Sequence, residues 1–132
     1  MSEGYSRGGS RFAYAIMRIV VGAAFAQHGA QKLLGLFGGM DGAGGSVEIL
    51  SLMGVAGVIE LGGGALVALG MFTRLAALLC SGLMASAYFM AHAGRGFWPI
   101  ENEGELAVLF CFVFLYIACQ GGGALSLGGS RR

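Results

Sequence analysis

Hydrophobic residues along the chain gather into four runs, at about 12–36, 53–71, 75–92 and 105–119, separated by short polar stretches. Each run approaches the roughly 20 apolar residues that an α-helix needs to cross a bilayer. None alternates with the period of two that marks a half-buried strand. The pattern predicts one all-α domain over 1–132, an integral membrane four-helix bundle. Short connections make its neighbouring helices antiparallel. The first connection, 37–52, is rich in glycine (Gly38, Gly39, Gly42, Gly44, Gly45) and carries Asp41 and Glu48. Phe72, Thr73 and Arg74 form a tight turn between the second and third runs. The third connection, 93–104, holds the sole proline, Pro99, and the sole tryptophan, Trp98.

Composition narrows the class further. Of 132 residues, 56% are hydrophobic and 11% charged, against about 25% charged in a soluble domain. Mean hydropathy is +0.75. Both a soluble globule and a disordered chain are excluded on this basis, and the lipid bilayer is the first partner. The formal net charge of +1, from 8 basic and 7 acidic residues, provides no field for nucleic acid. Cys80, Cys111 and Cys119 lie in apolar runs, form no CxxC and are odd in number, so they read as small buried hydrophobes.

The placement of charge sets an orientation. Arg7, Arg11, Arg74, Arg131 and Arg132 fall on one side of the four runs. Asp41, Glu48, Glu101 and Glu103, with Arg95, fall on the other. The positive-inside rule then puts both termini in the cytoplasm and the first and third connections outside. Arg11, Arg18, the run from Ile19 to Phe25 and Ala24-Phe25-Ala26 together imitate a signal peptide with its cleavage site. The apolar run is interrupted by Arg18 and continues past that site, so the segment is expected to be a retained helix.

The 26 glycines, many within the runs, weaken helices in favour of close packing. Gly22, Ala26 and Ala30 share a face of the first helix. Gly57 and Gly64 on the second, and Ala77, Ser81 and Ala85 on the third, give small faces where backbones approach.

Ionisable residues inside spans cost on the order of 2.5 to 3.5 kcal/mol each at a helix centre, and so mark candidate sites. They are His28, Lys32, Glu60, His92 and Glu105, together with Arg18. In the inferred orientation the first five gather in the outer half of the bundle, one or more from each helix, while the inner half is apolar apart from Arg18. His28 and Lys32 are i, i+4 neighbours, and Glu60 is the counter-charge for either. Gln27, Tyr88, Asn102, Arg95 and Trp98 are placed to complete a polar pocket beneath an aromatic lid. Plain structural readings stand beside each. Lys32 with Glu60 would fix helix register, Arg18 would snorkel to the cytoplasmic headgroups, and His92 would bond at the interface. Trp98 would anchor there, and Arg95, Glu101 and Glu103 would be solvated loop charges.

Two histidines without CxxCH or further ligands do not make a haem or zinc site, so neither metal nor haem is expected. No phosphate-binding glycine loop joins a strand to a helix. A quinone suits the inventory better. Its carbonyls need donors such as His28 or Lys32, its reduction needs a proton source such as Glu60, and its tail would lie between helices. The same pocket suits a lipid headgroup or another small amphiphile. A solute conduit is disfavoured by the apolar inner half.

The residues also resemble those of the DoxX family of small four-helix bacterial membrane proteins, over about 18–127. Arg18, Gly22-Ala23-Ala24-Phe25-Ala26-Gln27-His28-Gly29 and Lys32-Leu33 look like the family's first helix. Glu60-Leu61-Gly62-Gly63-Gly64-Ala65-Leu66 and Leu69-Gly70-Met71-Phe72-Thr73-Arg74 look like its second helix and turn. Ala87 to His92 and Asn102-Glu103-Gly104-Glu105 look like the third helix and the start of the fourth. The resemblance implies a bacterial cytoplasmic membrane protein. Some relatives are subunits of a thiosulfate:quinone oxidoreductase or quinol oxidase, and others are partners in oxidative-stress complexes. It implies other membrane subunits as partners. It also carries the family's polar positions onto His28, Lys32, Glu60, His92 and Glu105. The Gly-Pro-Gly turn and acidic residue frequent in the family's tail have no counterpart in Gly121 to Gly128, which predicts a looser C-terminal turn. The resulting expectation is a quinone-interacting or redox-associated subunit, with Glu60, His28 and Lys32 catalytic and His92, Trp98 and Glu105 completing the binding site. The alternative is a non-catalytic accessory subunit that stabilises a larger membrane complex.

Overall fold

In the computed structural model, which describes residues 2–128, the first apolar run lies inside a longer helix, α1 (Ser2–Leu34). Its start at Ser2 rather than near 12 reflects a polar but proline-free segment that an apolar window does not register. The helix runs unbroken through Ala24-Phe25-Ala26. Val47 N–H returns to its last turn, on Lys32 O at 2.8 Å. In the intervening loop Asp41 Oδ1 accepts from the N–H groups of Ala43 and Gly45, at 2.8 and 3.0 Å. These bonds hold its carboxyl below the usual carboxylate range.

Ser51 Oγ accepts from Gly54 N–H at 3.0 Å and starts α2 (Leu52–Leu69). Gly70, at φ +73°, stops it. Its N–H reaches Val67 O at 3.1 Å while Met71 N–H reaches Leu66 O at 2.9 Å, the crossed pair of a glycine-terminated helix. α3 (Thr73–Ala87) passes into one π-helical turn, Tyr88–His92, and one 3-10 turn, Ala93–Arg95. α4 (Pro99–Asn102) is a single turn opened by its proline, and α5 (Glu105–Gln120) follows.

Three stretches, Arg7–Leu34, Leu52–Leu69 and Thr73–Arg95, are long and apolar enough to cross a membrane. The fourth expected span is present as a helix but falls short of that length. The 16 residues of α5 cover about 24 Å at 1.5 Å per residue, against a hydrocarbon core of roughly 30 Å.

α1 packs along α2, α2 against α3, and α3 along α5. The rings of Phe25 and Phe114, 4.8 Å apart, and of Tyr14 and Tyr116, 6.0 Å apart, bring α1 onto α5. The core between them holds Phe25, Val67, Ala77, Cys80, Phe114 and Ile117. Leu78, Leu79, Leu109 and Phe112 stay exposed on the outer faces, as in helices that are hydrophobic all round. The α1–α2 crossing rests on glycine. A Cβ on Gly64 would stand 2.6 Å from Gly22 O and from Ala26 N, and one on Gly22 would stand 2.7 Å from Gly64 O. The next close approach uses Gly29 against Gly57 and Leu61, not Ala30. Two helical turns after Gly22, Gly29 keeps the same azimuth. Ser81 Oγ donates to Cys111 O at 2.8 Å and links α3 to α5. Of the free cysteines Cys80 is buried and Cys111 half-buried, but Cys119 is exposed, contrary to expectation.

Arg18 does not snorkel. It is 0% exposed, with Nη1 donating to Val67 O and Ala68 O, both at 2.7 Å, and Nη2 to Ala124 O and Leu125 O at 3.1 and 2.8 Å. Val67 O has only the capping Gly70 N–H from its own helix end and Ala68 O lies past the last helical donor, and a forked guanidinium satisfies both without leaving the protein. The same bonds tie down the C-terminal turn expected to be loose. Leu127 N–H and Gly128 N–H add bonds to Leu69 O and Gly70 O, at 2.9 and 3.0 Å, and Tyr14 Oη donates to Gly121 O at 2.6 Å. Arg131 and Arg132, used in the orientation argument, lie outside the described residues.

Candidate functional site

At the opposite end from Arg18, a cleft of about 370 Å³ opens between α1, α2, the end of α3 and the start of α5. That volume lies within the roughly 300–1,000 Å³ usual for small-molecule sites. His28, Gln31 and Lys32 come from one face of α1, Glu60 from the middle of α2 and His92 from the π-helical turn. Glu103 comes from the link before α5. The remaining wall is aliphatic and aromatic, with Phe25, Met84, Leu106 and Phe110 prominent.

Lys32 Nζ donates to Glu60 Oε1, a partly buried ion pair that joins α1 to α2. Glu60 is 2% exposed, and its other oxygen, Oε2, is buried without a hydrogen-bond partner. A carboxylate oxygen withdrawn from water and left without a donor costs free energy. It is therefore an acceptor waiting at the cleft wall. His28 packs edge-on against Phe110, with ring centroids 6.0 Å apart.

His92 is held differently. Its Nδ1 lies 3.1 Å from the backbone carbonyl of Asn102, which can only accept, so Nδ1 carries the proton and Nε2 is left for other partners. Asn102 is the hub of this corner. Its side chain donates to Tyr88 Oη and Gly96 O, at 3.1 and 2.7 Å, and accepts from Gly104 N–H at 2.9 Å. Tyr88 Oη in turn donates to Phe97 O. The wider π-helical turn sets His92 at the level of this hub.

His28, Lys32, Glu60 and His92 thus come together, while Trp98 and Glu105 do not join them. Trp98 is 62% exposed and lines a second, apolar cavity with Phe89, Phe97, Cys111 and Phe112, behind a wall shared at Met84 and Ala107. It is no lid over the polar cleft. Glu105 sits in the first turn of α5 and is exposed, and that helix offers the cleft only apolar groups. Gln27 is exposed as well, and Arg95 pairs loosely with Glu103 at 3.8 Å. Gln31 was not anticipated, although its i+3 spacing from His28 puts it on the same face. Among the described residues no three His, Cys, Asp or Glu side chains converge as a metal site.

The model of the DoxX family matches residues 13–93, a stretch that includes His28, Lys32, Glu60 and His92 and stops before α5. A protein of Haemophilus influenzae described as uncharacterized is 48% identical over 116 residues, which cover 86% of this chain and 86% of its own. No solved structure matches.

Proposed function

Because the chain belongs to the DoxX family of membrane proteins, we propose that its polar cleft is a quinone site and that the chain serves as a quinone-binding subunit of a membrane oxidoreductase. In this reading α5 also spans, in a bilayer locally thinned to its length. The four helices are then antiparallel spans of a bacterial cytoplasmic membrane, with both termini inside and the cleft outside. The observation that carries the reading is Glu60 Oε2, a buried acceptor without a donor on the wall of an otherwise largely apolar cleft.

The fit is chemical. A quinol hydroxyl is the kind of donor that Oε2 lacks, and a quinone carbonyl needs the donors that Lys32 and the cleft histidines offer. The aliphatic and aromatic wall suits the ring and the first part of a tail. When bound, a quinone supplies two-electron, two-proton chemistry, its electrons exchanged with a redox group of a partner subunit. This chain's own part is to orient the ring through Lys32 and His28 and to hold a proton at Glu60. The ion pair keeps that carboxylate in place.

The rival is a non-catalytic packing subunit whose Lys32–Glu60 pair only fixes α1 against α2. Calorimetric titration of the detergent-purified protein with a short-chain quinol separates the two. Saturable binding is expected, weakened about tenfold or more by Glu60→Gln, since a hydrogen bond to a charged group contributes roughly 1.5–3 kcal/mol. A buried pair is often replaced by apolar residues without loss of stability, so Lys32→Met/Glu60→Leu should fold and fail to bind. Undiminished binding by that folded double variant, or none by the native protein, would leave the packing subunit.

A further inference from the structure

At the Arg18 end, well apart from the proposed quinone cleft, the turn between α2 and α3 borders an open cavity of about 480 Å³. Gly70, Thr73, Arg74, Gly121, Gly122 and Gly128 are among its lining. Three independent features meet there.

The first is the N-terminus of α3, a 15-residue helix that receives no side-chain cap. Ala76 N–H bonds to Phe72 O at 2.9 Å. The N–H groups of Thr73, Arg74 and Leu75 before it have no intrahelical acceptor and carry the positive end of the helix dipole. The second is Thr73 itself. It is 6% exposed, and its Oγ1 is buried with no hydrogen-bond partner, the same unmet condition that marks Glu60 in the other cleft. The third is Arg74. Its Nη1 donates to Cys119 O at 2.6 Å and to Ala118 O at 3.4 Å, and Nη2 to Gln120 O at 3.5 Å, while Nε takes no part. Nε lies 3.1 Å from where a Cβ on Gly121 would be, so the glycine leaves it uncovered. Likewise a Cβ on Gly122 would stand 3.4 Å from Thr73 Oγ1. Among the described residues neither Arg74 nor Arg18 is paired with a carboxylate.

We propose that the first turn of α3 binds a phosphate ester, with Thr73 Oγ1, Arg74 and the uncapped N–H groups of Thr73, Arg74 and Leu75 as its donors. Helix N-termini bind phosphate through the same combination of free N–H groups and dipole, and a guanidinium beside the turn adds the charge. Phe72 and Leu75, which also line the cavity, are largely exposed. These apolar flanks favour the phosphodiester of an anionic lipid, whose acyl chains would lie against them, over a soluble phosphate.

The test uses the full chain in mild detergent, given phosphatidylglycerol and phosphatidylcholine in equal amounts, with retained lipid counted by native mass spectrometry. Inorganic phosphate is titrated in parallel and followed by phosphorus NMR line width. The native protein should retain phosphatidylglycerol about tenfold over phosphatidylcholine, which has the same phosphodiester but would bring a quaternary ammonium against Arg74 and the positive end of the helix dipole. Thr73→Val should lose about that factor and Thr73→Ser should keep it, as one hydrogen bond to a charged group predicts. Phosphate broadening that Thr73→Val abolishes, without lipid preference, would make free phosphate the source at the same site. Should Thr73→Val not fold, Gly122→Ala, which puts a methyl beside the hydroxyl, carries the comparison and should show the same loss. Equal retention of both lipids with no phosphate broadening, or a folded Thr73→Val or Gly122→Ala variant that binds as the native protein does, would overturn the proposal.

Discussion

Two side chains sunk in the molecule solve the problem of a buried charge in opposite ways. Arg18 spends its guanidinium on four carbonyls from two segments and touches no carboxylate. Glu60 has one oxygen on Lys32 and leaves the other bare. The first leaves only Nε, behind the fork, without a partner and reads as structure; the second leaves a carboxylate oxygen bare on the wall of a cleft and reads as a site. Arg18→Lys keeps the charge but replaces a planar fork by a compact ammonium with three donors. It should leave at least one carbonyl unbonded at a loss of roughly 1–3 kcal/mol. The local consequence is specific: hydrogen exchange at the Leu127 and Gly128 amides, which bond to Leu69 O and Gly70 O, should accelerate far more than exchange within α3. Unchanged protection there would mean that the C-terminal segment is held without Arg18. The sequence displayed Arg18 as an expensive intramembrane charge, and helix depth alone suggested escape to the headgroups. Carbonyls from α2 and from residues 124 and 125 at the same level are a tertiary fact that no local pattern contains. His28, Lys32 and Glu60 were within reach of sequence because i, i+4 spacing and helix depth are nearly sufficient to bring them together.

At the level of elements, glycine was visible as a packing residue, but only the helix crossing shows which glycines matter. Gly62 and Gly64 lie two apart on α2. A Cβ on Gly62 meets nothing within 4 Å, whereas one on Gly64 would be 2.6 Å from the backbone of α1 at Gly22 and Ala26. Gly62→Ala should therefore be neutral or stabilise by up to about 1 kcal/mol through helix propensity. Gly64→Ala should destabilise by roughly 1–3 kcal/mol, as a forced backbone shift does. Thermal unfolding in one detergent compares them directly, and equal effects would show that the α1–α2 crossing is looser than drawn. Helix ends fell near the ends of the apolar windows where a glycine or a cap closed the helix, as at Ser51 and Gly70. They failed at the start of α1, where polar residues continue the helix. The π-helical turn at Tyr88–His92 was the larger gap. Both of its ends meet Asn102, Tyr88 through Oη and His92 through Nδ1, contacts made by the chain beyond the helix, and its last residue lines the cleft while Trp98 lies behind the Met84 wall.

Taken whole, the molecule has two unlike ends. One gathers Arg18, Arg74, the α2–α3 turn and the C-terminal segment. The other holds the polar cleft, the glycine-rich loop with Asp41 and Glu48, and the loop with Glu101 and Glu103. A bilayer with a positive-inside bias would seat such a molecule one way, with the arginine end in the cytoplasm. That orientation decides which water phase the cleft faces, and so, on the proposed quinone reading, where its protons would go. It is open to a direct measurement, because exposed positions exist at both ends: Ser10 near the start of α1 and Ala43 in the glycine-rich loop. In a Cys119→Ser background, Ala43→Cys should react with a membrane-impermeant maleimide added to intact spheroplasts. Ser10→Cys should react only after the membrane is opened. Cys80 is buried and Cys111 half-buried against α3, so neither should contribute. The reverse pattern would turn the cleft toward the cytoplasm, and protons released or taken up at Glu60 would then leave the transmembrane gradient with the opposite sign.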